Sequence, residues 1–139
     1  MKAAWVVDCS VAMTWLFADE ATPQTAELLD RFITEKAVVP AWWFLEITNV
    51  MALAERKNRI TPAQSAEFIS DLSALEIEID TDTPDRAFSH LLPLCRAHGL
   101  TSYDAVYLDL AVRQRLPLAT LDEPLRTAAR QLDVTLLGR

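Results

Sequence analysis

Short runs rich in apolar and β-branched residues alternate along the chain with longer stretches in which apolar residues recur every three or four positions. The runs "AAWVVD" (3–8), "AVVP" (37–40), "IEID" (77–80), "LPLATLD" (116–122) and "VTLL" (134–137) read as five strands. Helical stretches lie around them: a short one over 10–18, then one opened by Thr22-Pro23 and running to Lys36. A long one starts at Pro40 and continues through "AWWFLEITNVMALAERKN". Others are opened by Thr61-Pro62 and Thr83-Pro84, and two more read from "TSYDAVYLDLAV" and "EPLRTAARQL". Each Thr-Pro pair offers a capping hydroxyl and a first-turn proline. Pro93 removes a helix hydrogen bond and should kink or break its helix, which Gly99 then caps. Strands alternating with helices imply an open, mostly parallel sheet covered on both faces, an α/β fold. No repeat or linker divides the chain, so residues 1–139 read as one domain.

Composition narrows the function. A chain of 139 residues that is 51% hydrophobic has the material for a real core. Two glycines in the whole chain exclude a GxGxxG or Walker phosphate loop. Cys9 and Cys95 read as free thiols, with Cys9 a small buried filler, and His90 and His98 lack ligand spacing, so zinc and iron–sulfur sites are not indicated. No apolar run approaches a membrane span, and the start lacks a signal-peptide pattern, which makes the cytoplasm the expected location. The net charge of −7 argues against a protein that coats nucleic acid. It leaves room for a nucleic-acid enzyme, because a site that holds metal ions is itself acidic.

Four carboxylates stand out. Asp8 and Asp122 follow the first and fourth strands, where sheets of this class bind ligands. Each has a plain alternative as a helix cap. Glu46 falls on the helix face that carries Trp42, Trp43, Val50 and Leu53. Asp104 falls among Tyr107, Leu108 and Ala111, opposite an edge shared by Asp109 and Arg113, which reads as solvated. Charged side chains are rarely buried unless paired or metal-bound, and no basic residue lies one turn away on either apolar stripe. Converging acids repel by about 4 kcal/mol per pair at 4 Å and an effective dielectric near 20. Such a cluster takes up protons or binds cations, and oxygen donors without His or Cys select Mg²⁺ or Mn²⁺.

These residues sit in recognisable contexts: "VVDCSVAMTWL", "PAWWFLEITNVM", "GLTSYDAVYLDLA" and "PLATLDEPLRTAA". The chain resembles PIN-domain ribonucleases, and among them the VapC toxins of toxin–antitoxin pairs, over nearly its full length. The resemblance implies a three-layer α/β/α fold with a five-stranded parallel sheet ordered 3-2-1-4-5. It places the family's acidic quartet, catalytic and metal-binding, on Asp8, Glu46, Asp104 and Asp122. Ser10, Thr120 and Asn49 match polar positions beside that site. It further implies cleavage of single-stranded or loop RNA with Mg²⁺ or Mn²⁺, a homodimer, and inhibition by a VapB-like antitoxin.

Other features have plainer readings. Asp80, Asp82 and Asp85 read as a solvated turn with Thr83 as the helix cap. The basic run "ERKNR" (55–59) reads as a solvated helix end. Arg126 and Arg130 lie one turn apart beyond Asp122 and are candidates for RNA phosphate contacts. Trp42, Trp43, Phe44 and Met51 read mostly as core, any exposed part suiting a dimer or antitoxin surface. Two other functions compete. One is a PIN-like interaction module without catalysis. The other is an aspartate phosphotransfer domain, which lacks the expected late lysine.

Overall fold

Trp5, Val6 and Val7 are fully buried, and so are Ala37, Val38 and Val39. Such unbroken apolar runs belong to strands covered on both faces. In the computed structural model, which describes residues 1–139, the strands are β1 (Ala3–Val7), β2 (Lys36–Pro40), β3 (Ile77–Asp80), β4 (Leu118–Ala119) and β5 (Leu136–Leu137). All pair in parallel, in the order β3-β2-β1-β4-β5, with Val6 opposite both Val38 and Leu118. The order reverses between β1 and β4, so the loops after these neighbours leave the sheet side by side. That switch point is where a sheet of this class opens a crevice.

The helices are α1 (Cys9–Met13), α2 (Pro23–Asp30), α3 (Trp42–Arg56), α4 (Pro62–Ser73), α5 (Thr83–Arg86), α6 (Leu92–His98), α7 (Ser102–Gln114) and α8 (Glu123–Gln131). Both Thr22 and Thr61 close reciprocal capping boxes with the residue three positions on, as their Thr-Pro signals predict. None of these helices is long and apolar enough to cross a membrane. A single contiguous cluster of buried apolar residues runs from Trp5 to Ala129 and joins sheet and helices.

Several boundaries differ from the sequence reading. Pro40 ends β2 opposite Asp80 instead of starting a helix, and α3 begins at Trp42. A strand end tolerates proline because no ladder donor is required there. α2 stops at Asp30 and passes into a short 3₁₀ turn, Arg31–Ile33, rather than reaching Lys36. Asp82, not Thr83, occupies the N-cap position of α5, without a side-chain cap bond. The break ahead of Pro93 takes the form of a π-helical turn over Ala87–Leu91 between α5 and α6. Pro93 has no N–H for the preceding turn, and a widened turn absorbs the mismatch. Gly99 ends α6 at φ 65°, the left-handed conformation in which glycine carries no steric penalty.

Helix α7 shows the largest departure. Seven consecutive residues, Ala105–Ala111, are buried, so the helix has no solvated edge along that span. It packs against β1, β2 and β4 as well as α6 and α8. The wheel argument assumed one wet side and one dry side; a helix enclosed on all sides has neither.

Candidate active site

Asp8 leaves the end of β1, and its amide still reaches across to the Ala119 carbonyl of β4 at 2.9 Å. It occupies the N-cap position of α1 but makes no cap bond there. Instead its Oδ2 accepts two hydroxyl hydrogen bonds, from Ser10 and from Thr120, each at 2.7 Å. Each hydroxyl accepts a backbone amide in turn: Leu121 N–H to Ser10 at 3.0 Å and Asp122 N–H to Thr120 at 3.1 Å. The carboxylate is thereby fixed to both sides of the switch point. Burial raises its pKa above the carboxylate range; the two hydroxyls oppose this, and the charge of Asp122 adds to it.

Glu46 projects from α3, half-buried. The buried stripe of that helix is Trp43, Ile47, Met51 and Ala54, with Glu46 at its margin. Leu53 is exposed, Trp42 and Val50 are half-buried, and Phe44 lies outside the core expected of it. The partner of Glu46 is the buried Tyr107 of α7, whose hydroxyl donates to Oε1. The sequence reading named that phenol only as an apolar neighbour of Asp104. Glu46 is pushed up to about 7, first by burial, against the Tyr107 hydrogen bond, and further by the charges of Asp8, Asp104 and Asp122.

Asp104 is half-buried in the first turn of α7, where its amide donates to the capping hydroxyl of Thr101 at 3.3 Å. Its place is thus a helix N-terminus, which favours a negative charge, and not the middle of an apolar face. Burial, then the charges of Asp122 and Asp8, push its carboxyl up to about 6. Asp122 does cap α8: its Oδ2 accepts from the Leu125 amide at 3.0 Å.

All four acids line one cleft of about 500 Å³, together with Cys9, Ser10 and Leu121. Glu20, which the sequence did not single out, also lines it, and so does Arg59, the last residue of the basic run read as a solvated helix end. Arg59 is its basic residue, and this guanidinium is already engaged. It donates from Nη2 to Asp19 and Glu20 and lies 3.7 Å over the Phe17 ring. Oxygen donors without a free counter-charge suit a hard divalent cation. As placed, no three His, Cys, Asp or Glu side chains are grouped closely enough to hold one ion. Asn49 is exposed and borders the adjoining cavity with Glu46.

Other sequence assignments need correction. Asp109 is buried, not solvated, and receives a two-pronged hydrogen bond from Arg86, Nε at 2.6 Å and Nη2 at 2.8 Å. Arg113 is paired with Asp80 at 2.9 Å and Asp82 at 3.3 Å. Asp80 is therefore a buried, paired acid rather than part of a solvated turn, whereas Asp82 and Asp85 are exposed as expected. Sequence distance hid these pairs, since their partners lie 23 and 33 residues away. Arg126 is buried and donates Nη1 to the carbonyls of Thr120 at 2.7 Å and Leu137 at 3.1 Å. It ties α8 to the ends of β4 and β5 and presents no face to an RNA phosphate. Arg130 pairs with Glu123 at 3.4 Å on the surface.

A family model for the PIN domain matches residues 5–131. No curated protein sequence matches the chain. Among solved structures, a protein from Pyrobaculum aerophilum is similar at 20% identity and a TM-score of 0.70, covering 96% of this chain and 83% of that one. A toxin–antitoxin complex from Klebsiella pneumoniae is similar at 18% identity and 0.60, covering 86% and 87%. VapBC2 from Rickettsia felis, bound to a promoter DNA fragment, is similar at 10% identity and 0.67, covering 96% of each chain. At these identities the likeness is one of fold.

Proposed function

The chain belongs to the PIN domain family, and from that premise we propose that residues 1–139 form one PIN domain acting as a Mg²⁺- or Mn²⁺-dependent endoribonuclease. Its substrate is single-stranded or loop RNA, and its role is that of the toxin in a toxin–antitoxin pair. The observation that carries the reading is the cleft in which Asp8, Glu46, Asp104 and Asp122 meet without a free cation. Stabilising four such groups in the charged state calls for divalent cations from solution.

Asp8, Glu46 and Asp104 would hold the main ion, with Asp122 completing that site or helping a second. When bound, the ion supplies Lewis acidity, lowering the pKa of the attacking water and neutralising charge on the phosphate. The chain's own residues prepare this. Ser10 and Thr120 lock the Asp8 carboxylate in one orientation, and Tyr107 does the same for Glu46. Cys9 also lines the cleft, and burial holds its thiol in the protonated form.

The toxin role draws on the fold shared with toxin–antitoxin complexes. An apolar groove of about 390 Å³ between α3 and α4, walled by Phe44, Ile47, Met51, Ile69 and Leu72, supports a VapB-like antitoxin or a second copy as protein partner. Such a pair operates in the cytoplasm. The same apolar groove also fits a second reading, an interaction module without catalysis.

Incubation of the purified protein with single-stranded RNA, in Mg²⁺, Mn²⁺ or EDTA, separates the two. Cleavage that requires metal and disappears in Asp8→Asn and Asp104→Asn supports the nuclease. Undiminished cleavage in EDTA or in these variants overturns it.

A further inference from the structure

Trp42 and Tyr103 stack face to face, ring centroids 4.4 Å apart and planes 11° from parallel. Trp42 lies one turn before Glu46 on α3, and Tyr103 immediately precedes Asp104 on α7. Two elements that carry half of the acidic quartet therefore also carry the ring pair. The rings wall a cavity of about 430 Å³ that shares Cys9, Glu46 and Val50 with the acid cleft, so the two spaces adjoin.

Core packing does not account for the pair. Tyr103 is 52% exposed, and the Trp42 indole N–H is enclosed without a hydrogen-bond partner. An aromatic stack placed for packing would bury both rings; here half of one stands open at the lip of the site. The charge of the cleft opposes a phosphate backbone, and Arg59 is committed to Asp19 and Glu20. Affinity for RNA thus calls for a contribution that is not electrostatic. A nucleobase offers one, because its flat face stacks on aromatic side chains whatever its identity.

We propose that Tyr103, backed by Trp42, is a stacking platform for an unpaired base of the RNA strand next to the phosphate held at the acid cleft. This rests on the ribonuclease reading and assigns it a substrate subsite. A base inside a duplex is already stacked on its neighbours, so the platform selects single strands. Purines, with the larger face, bind better than pyrimidines.

The test uses octa-adenylate, octa-uridylate, an eight-residue ribose-phosphate oligomer without bases, and an RNA duplex, all in Mg²⁺. Initial quenching of tryptophan fluorescence reports binding, and gel analysis reports cleavage. Tyr103→Phe keeps a ring, whereas Tyr103→Ala and Tyr103→Leu remove it; the exposed position makes folding of all three straightforward to confirm by melting. The expected result is a Kd, and a KM, for octa-adenylate raised about 5- to 150-fold in the Ala and Leu variants and unchanged in Phe. The base-free oligomer should bind all four proteins alike, and the duplex should not quench. Equal octa-adenylate affinity in wild type and Tyr103→Ala overturns the platform, even if RNA is cleaved. Ring-dependent quenching without any cleavage leaves the platform standing and removes the nuclease reading instead.

Discussion

Arg86 grips both carboxylate oxygens of Asp109 at 2.6 and 2.8 Å, while Asp104, on the same helix, faces the charges of Asp8 and Asp122. One acid of α7 is neutralised inside the protein, and the other is left for something outside it.

The two acids should therefore respond oppositely to loss of charge. Asp109→Asn strands the Arg86 guanidinium and should cost about 3–5 kcal/mol, read from urea unfolding. Asp104→Asn relieves repulsion, and in EDTA it should raise the melting temperature by roughly 1–3 °C. A loss of stability on removing the Asp104 charge would show that a cation already serves it.

Stability without metal should fall as pH rises. Glu46 at about 7 and Asp104 at about 6 lie above their unfolded values of about 4.3 and 3.9. Between about pH 4 and 7 the folded chain binds more protons than the unfolded one, so stability declines through that window. In EDTA, melting should come at a higher temperature at pH 5.5 than at pH 7.5. The Glu46→Gln/Asp104→Asn double variant should flatten the difference.

Divalent ions should reverse that loss. Mn²⁺ at 100 times its Kd should add about 2.7 kcal/mol at neutral pH. The gain should vanish in Asp8→Asn. Thermal melts with and without Mn²⁺ are the direct measurement, and an equal gain in the variant would place the ion elsewhere.

Tyr107→Phe probes the Glu46 contact. Its hydrogen bond favours the charged carboxylate, so losing it should lift the Glu46 pKa further. Manganese affinity should weaken more at pH 6.5 than at pH 8. Isothermal titration at the two pH values tests this; a loss independent of pH would assign Tyr107 to packing alone.

Most of the architecture was legible in the chain. Five strands, the Thr-Pro caps at Thr22 and Thr61 and the Gly99 stop follow from local rules that tertiary contacts did not override. The four acids were legible for a mixture of reasons. Asp8 and Asp122 stood at strand ends, where topology forces convergence. Glu46 and Asp104 stood out through helical wheels that proved only half right, since Asp104 sits in a first turn and Glu46 beside its helix's buried stripe. The wheel failed outright at Asp109, because a helix buried on all sides gives no contrast to read. Arg126 looked exposed for the converse reason: nothing local reveals that the carbonyls of Thr120 and Leu137 come within its reach. Tyr107, Arg59 and the Trp42–Tyr103 stack depend on contacts between distant segments, which one sequence does not display.

The π-helical turn over Ala87–Leu91 sets the angular phase of everything before it. Such a turn is equivalent to one extra residue in an α-helix, about 100° of rotation and 1.5 Å of travel. Deleting a single residue there would remove that offset and swing Arg86 about a quarter-turn off Asp109. In this stretch the chain is intolerant of a change in length by one, although it should accept many changes of residue type.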